Sequence, residues 1–271
     1  MHPFKRILLA TEHTEFDIGA ERLAFEMAQR CGLPLIAVLP VVSNPEFEIA
    51  APQLAERNDR IAASKADELR NTAMRLGVAF EIHVRRGEEQ YREIVNEARE
   101  KKADLIIARR RGKRSFLAKL LVGEMVSKVA GHAPCSVLLV PRNGAMWSMG
   151  ILAAVDNSEH ALRITATAAA IARECALPLT ILCVAETAAS LNKAEAVVSR
   201  HKESIAGLVV HQLVLTGRPH EQILAAGKSA DADLIVLGRL GAGNAVVRML
   251  LGSTMQKVVG LAEQPVLVVP V

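Results

Sequence analysis

The sequence predicts an α/β protein of two tandem units, each a five-stranded parallel sheet with helices on both faces. Three observations predict this. The chain has 271 residues, long for one domain and comfortable for two. An internal repeat keeps register across most of it. Short β-branched runs alternate with helical patterns in each half, as a parallel sheet with covering helices requires.

The repeat sets the order of elements. Ile7-Leu8-Leu9-Ala10-Thr11-Glu12-His13-Thr14 matches Ile151-Leu152-Ala153-Ala154-Val155-Asp156-Asn157-Ser158 at an offset of 144: an apolar strand, an acid, then a hydroxyl. At the same offset Cys31-Gly32-Leu33-Pro34-Leu35 matches Cys175-Ala176-Leu177-Pro178-Leu179, the end of a helix leading into a second strand. Further on, Ala103-Asp104-Leu105-Ile106-Ile107 matches Ala232-Asp233-Leu234-Ile235-Val236, and the final strands Val137–Pro141 and Val266–Pro270 match too, now at an offset of 129. The second copy is therefore 15 residues shorter, and the loss falls opposite residues 41–73, where a longer helix and its preceding loop are expected to vary without touching the sheet. The link between copies is the polar, glycine-containing stretch Arg142–Met146, dividing the chain into 1–143 and 144–271. Tyr91, Ile94, Val95 and Ala98 recur at helical spacing, and the corresponding helix of the second copy opens at Gly217-Arg218-Pro219, with proline in the first turn.

Composition narrows the function classes. No apolar run approaches the roughly 20 residues of a membrane span, and the opening segment is broken before a signal-peptide core forms, so cytoplasmic residence is expected. The four cysteines form no C-x-x-C pair and read as packing residues. A net charge of +4 permits anionic partners, but aromatics at 3% are too few for a stacking platform. The histidines show no paired metal-ligand spacing, no G-x-S-x-G elbow occurs, and no carboxylate stands out as a general base. Gly227-Lys228-Ser229 imitates a P-loop ending, but Gln222 stands where its glycine is needed and the segment reads as helix. No catalytic residue is nominated.

Open parallel sheets bind ligands beyond the carboxyl ends of their strands, at the point where strand order reverses. In the second copy that edge carries Gly238-Arg239-Leu240-Gly241, then Gly252-Ser253-Thr254. Glycines let backbone N–H groups approach an anion, and Ser253, with Gln256 three residues on, reads as a capping box that turns a helix N-terminus toward the same loop. A plain glycine turn with a capped helix is the simpler alternative, as is a helix N-cap for Asp156.

Together, the strand ending Val155-Asp156-Asn157-Ser158, the strand Asp233–Gly238, the G-x-x-G loop, Leu250-Leu251-Gly252-Ser253 and the terminal strand resemble the universal stress protein family in both copies. The resemblance implies Rossmann-like, adenine nucleotide alpha hydrolase-like domains, ATP as cofactor with magnesium as its companion, and a regulatory stress-response role with little or no catalysis; slow hydrolysis is left open. It implies that Ala154, Val155 and Asp156 meet the adenosine, that the backbone of Val184 meets the adenine edge, and that Gly238, Gly241, Gly252, Ser253 and Thr254 surround ribose and phosphates. ATP-binding members carry nine residues between their second and third glycines; here ten separate Gly241 from Gly252. The family's pairing through last strands implies an internal pseudo-dimer of the two copies, with a homodimer of chains left open.

The first copy departs at the same positions. Arg109 replaces Gly238, Glu124 replaces Ser253, Pro40 replaces Val184 and Glu12 replaces Asp156. A carboxylate at the helix N-terminus repels phosphate, and proline has no N–H for an adenine edge. Residues 109–114 carry Arg109, Arg110, Arg111, Lys113 and Arg114, read either as a solvated basic loop partly neutralised by Glu124 or as a docking point for an acidic protein or polyanion. A scaffold that binds no nucleotide and uses this loop is the alternative function. A nucleic-acid or anionic-surface contact is a third reading, disfavoured by the scarce aromatics.

Overall fold

A computed structural model describes residues 3–12, 14–110, 123–239 and 252–270. The chain divides into two units, one built on Phe4–Arg111 and Glu124–Met146, the other mainly on Trp147–Val271.

In the N-terminal unit β1 (Ile7–Ala10), β2 (Leu35–Val42), β3 (Phe80–Gly87), β4 (Leu105–Arg109) and β5 (Ser136–Val140) lie in the order β3-β2-β1-β4-β5. Every pair is parallel. The helices are α1 (Ile18–Cys31), α2 (Pro45–Ala50), α3 (Pro52–Leu76), α4 (Gln90–Glu100) and α5 (Glu124–His132). The C-terminal unit repeats the arrangement with β6 (Ile151–Val155), α6 (Ala161–Cys175), β7 (Leu179–Ala185), α7 (Leu191–Glu203), β8 (Val210–Thr216), α8 (Pro219–Ser229), β9 (Leu234–Gly238), α9 (Ser253–Leu261) and β10 (Val266–Val269). Its order is β8-β7-β6-β9-β10, again parallel throughout. The predicted fold class is the one observed.

The central strands are uninterrupted apolar runs because helices cover both of their faces: every residue of β1, β4 and β5 is buried. The predicted stripe on α4 faces inward through Ile94, Val95 and Ala98, and Pro219 sits in the first turn of α8. Gly227, from the false P-loop, lies in the last turn of α8, where a Cβ would press on Gln264 Nε2 at 2.9 Å. It is a packing glycine.

Two repeated features have structural roles. The aspartate shared by both Ala-Asp-Leu-Ile segments ties the start of one central strand to the other: Asp104 accepts from the N–H groups of Lys5 (2.8 Å) and Arg6 (3.0 Å), and Asp233 from those of Ser148 (2.6 Å), Met149 (3.0 Å) and Gly150 (3.1 Å). The Cys-Gly/Ala-Leu-Pro segments end α1 and α6 in left-handed caps, Gly32 at φ 61° and Ala176 at φ 54°. Free thiols Cys31, Cys135, Cys175 and Cys183 are half-buried or buried; Cys175 Sγ accepts from Trp147 Nε1 at 3.3 Å. Burial and Asp104 push the Cys135 thiol up to about 12, which leaves it unreactive.

The length difference between copies resides in α2 and α3. α3 has 25 residues against 13 in α7. It does not stand clear of the sheet as expected: Ala62 packs with Leu39 and Val41 of β2 and Ile82 of β3.

Candidate functional site

Strand order reverses at β1 and at β6, so the carboxyl ends of β1 and β4 in one unit, and of β6 and β9 in the other, frame the expected crevice. In the C-terminal unit Ala154 is half-buried and Val155 buried at the end of β6. Asp156 follows, and its Oδ1 accepts the N–H of Ser158 at 2.9 Å. Because α6 starts only at Ala161, with His160 in the cap position, Asp156 is not the helix cap. It closes a short Asx turn that fixes its carboxylate at the strand end.

Val184 is placed by register. A residue in a parallel strand turns its N–H and C=O to the same neighbour. Leu179 N–H bonds Val209 and Ala185 C=O receives Gly217 N–H, so odd-numbered residues of β7 address β8. Val184 therefore addresses the β6 side, one residue past the last pair, Val155–Cys183. At the equivalent Pro40 there is no N–H, and pairing of β1 with β2 stops one residue earlier, at Ala10–Val38.

Gly238 closes β9 opposite Val269. Arg239 then donates its N–H to Val269 O (3.0 Å), and its carbonyl accepts from Gly252 N–H (3.2 Å), which brings the start of α9 to the end of β9. Gly252, not Ser253, occupies the N-cap position, at φ −57°, ψ 145°. This corrects the expected capping box: Ser253 is the first helical residue, so its hydroxyl does not cap. The helical ladder opens with Gln256 N–H on Gly252 O. The N–H groups of Ser253, Thr254 and Met255 therefore precede it and point out of the helix end, a donor set suited to phosphate oxygens. Gly241 lies outside the described residues, as do Arg111, Lys113 and Arg114. Among the described residues no cluster of His, Cys, Asp and Glu could hold a metal.

Sequence reasoning missed two residues here. Arg239, beside Gly238, carries a half-buried guanidinium whose charge burial opposes, lowering its pKa. Its place after the strand was a readable signal, since Arg110 takes the same place and donates its N–H to Val140 O. His201, buried on α7, bonds through Nδ1 to Thr165 Oγ1 at 2.9 Å. Thr165 donates its own hydrogen to Ala161 O, so the network assigns the proton to His201 Nδ1 and leaves Nε2 a buried acceptor with no hydrogen-bond partner among the described residues. Burial first, then the charge of Arg200, push His201 below the ordinary histidine range, against the pull of Asp156. Burial, with Asp156 behind it, also raises the Cys183 thiol.

The N-terminal unit fills the corresponding space. Arg109 is the last residue of β4 and is 3% exposed. Its Nη2 meets Glu12 Oε2 at 2.6 Å, its Nη1 donates to Thr14 Oγ1, and its Nε lies 3.5 Å from Asp17 Oδ1. Thr14 in turn donates its N–H and hydroxyl to Asp17 Oδ2, both at 2.7 Å. The acid that replaces Asp156 is thus bound to the arginine that replaces Gly238. This corrects the reading of Arg109 as part of a solvated or docking basic loop: it is a buried strand residue engaged by two acids. Glu124 begins α5 with its side chain 81% exposed and, among the described residues, pairs with Lys128 at 2.9 Å.

Fold and crevice define a class: tandem Rossmann-like domains, with exposed backbone N–H groups at the strand ends of one copy and a buried arginine there in the other. A model of the universal stress protein family matches residues 3–141 and 149–270, and the chain belongs to that family. A universal stress protein of Archaeoglobus fulgidus has the same fold at TM-score 0.75 and 20% identity, covering 98% of each chain. A second structure, described as a putative universal stress protein of Pseudomonas aeruginosa, has TM-score 0.66 at 20% identity over 98% of this chain and 93% of its own. Among curated relatives, a universal stress protein of Thermus aquaticus is 54% identical over 57 residues, 21% of this chain. One of Methanocaldococcus jannaschii is 35% identical over 63 residues, 23% of this chain. These alignments span 41% and 38% of the two relatives' own lengths.

Proposed function

We propose that the protein is a stress-response module that binds one ATP in its C-terminal unit and does little or no chemistry on it. The observation that carries this is the contrast at one position. Gly238 leaves the end of β9 without a side chain beside the first N–H groups of α9, whereas Arg109 occupies the same place in the other unit. Asp156 and the β6-facing backbone of Val184 would address the adenosine, and the N–H groups of Ser253 and Thr254 the phosphates. When bound, ATP would supply a charged, releasable signal. The chain's own contribution is to orient it with a fixed carboxylate and a helix dipole.

Calorimetric titration of the full chain with ATP and magnesium is expected to give a stoichiometry near one. Binding should be lost in Gly252→Val and Ser253→Glu and kept in Arg110→Ala. Absence of both heat and a thermal shift with ATP would overturn the reading in favour of a scaffold that binds no nucleotide, which the ten-residue spacer favours.

A further inference from the structure

The N-terminal unit holds a cavity of about 940 Å³ between the start of α1 and one face of α3, lined by Thr14, Glu15 and Ile18 and by residues of α3 from Gln53 to Glu68. The volume lies near the top of the range for small-molecule sites, roughly 300–1,000 Å³. It adjoins the filled position through Thr14, which also bonds Arg109, but Glu12, Pro40, Arg109 and Glu124 do not line it. α3 presents two stripes. Ala62, Ala66, Leu69 and Ala73 are buried, while Leu54, Arg57, Ile61 and Lys65, spaced at three to four residues, face the cavity. The first half of this wall, with Gln53, Leu54 and Arg57, belongs to the part of the chain that the C-terminal copy lacks.

The lining has a chemical bias. Ile18, Leu54 and Ile61 are 47%, 48% and 37% exposed, so three large aliphatic side chains show surface to one cavity. Among the described residues no aromatic ring lines it, so they offer no stacking surface of the kind a nucleobase uses. Each lining acid has a cation: Glu15 pairs with Arg142 (3.3 Å), and Glu68 with Lys65 (3.1 Å). Lys65 is also held by Glu21 at 2.9 Å. Arg57 makes no ion pair among the described residues, and Arg60 reaches only Glu56, at 3.5 Å on the open surface. The cavity therefore offers an apolar floor and one uncommitted guanidinium. A carboxylate matches that guanidinium in shape and charge, while Glu15 and Glu68 on the rim disfavour a multiply charged phosphate.

We propose that this cavity binds an amphiphilic monoanion, a medium-chain carboxylate whose head group pairs with Arg57 and whose chain lies on Ile18, Leu54 and Ile61. It gives the N-terminal unit a ligand of its own, independent of nucleotide binding. Titrating the full chain with decanoate, below its micelle-forming concentration, is expected to give saturable one-to-one binding. Decyltrimethylammonium, equal in chain and opposite in charge, should not bind. Arg57→Glu and Leu54→Asp each weaken decanoate by about tenfold or more, with urea unfolding unchanged because both side chains are exposed; Lys202→Glu on the other unit leaves it unchanged. Non-saturable heat, equal binding of the cation, or undiminished affinity in Arg57→Glu overturns the proposal.

Discussion

The ends of β4 and β9 are the same place in two copies of one fold, and they differ in what fills it. In the N-terminal copy Arg109, Glu12, Thr14 and Asp17 form a closed polar cluster; in the C-terminal copy Gly238 and Gly252 leave backbone there. The end of a central strand can thus be filled or left open without disturbing the sheet. One guanidinium faces two carboxylates there, so the buried arginine finds its countercharge inside the cluster.

Exchanging the occupants tests this directly. The largest effect on ligand binding is expected for Gly238→Arg, which places a guanidinium beside Asp156 as Arg109 stands beside Glu12. ATP affinity should fall about 100-fold or more, a loss of roughly 2.7 kcal/mol or greater, in calorimetry on a chain that still unfolds cooperatively. Retained affinity would separate the two sites' fates from the residue at the strand end.

Next is Arg109→Ala. Glu12 and Asp17 would lose their shared partner in the interior, and urea unfolding should show the N-terminal unit destabilised by about 3–5 kcal/mol. A change below 1 kcal/mol would mean that water already serves these carboxylates.

A third contrast lies between the helices that flank each crevice. In the N-terminal unit α1 and α3 are joined by Glu21 and Lys65, with Thr11 Oγ1 on the other oxygen of Glu21 at 2.6 Å. Burial opposes the lysine's charge, and Glu21 outweighs it, so the Lys65 pKa is raised. In the C-terminal unit α6 and α7 are joined by the neutral Thr165–His201 bond. His201 titrates below its ordinary 6.5 in the folded state. As pH falls through 6.5 the unfolded chain takes up a proton that the folded chain refuses. Stability is therefore present above 6.5 and lost on acidification until the folded pKa is reached. His220, also lowered by burial, acts in the same direction. Thermal unfolding between pH 7.5 and about 5 should show this slope in the C-terminal unit, reduced in His201→Gln. An unchanged slope would remove His201 from the account.

The smallest effect belongs to the helix caps. Ala176 holds the left-handed conformation that Gly32 adopts without strain, so Ala176→Gly should stabilise the C-terminal unit by about 0.5–1 kcal/mol. Gly32→Ala should do the opposite, and equal melting temperatures for both variants would refute the equivalence.

Much of the candidate site was legible because strand ends and glycines are local signals. Val155-Asp156 and Gly238 fall at strand ends as the repeat placed them. The capping box was not legible, because one residue's shift between Gly252 and Ser253 depends on how Arg239 O receives Gly252 N–H. The role of Arg109 was also hidden. In sequence it opens a run of cations; in space it closes a strand against acids nearly a hundred residues away, at Glu12 and Asp17. His201 read as one histidine among several, and only its burial against Thr165 set it apart.

By itself the sequence determined the tandem, the parallel sheets and the asymmetry of the two copies, because hydrophobic period, proline and glycine act over a few residues and are copied in register. Tertiary structure decided what that asymmetry means. Whether a charge is solvated or caged, and whether a longer helix packs or walls a cavity, depends on groups brought together from distant segments, where burial makes every unpartnered polar atom costly.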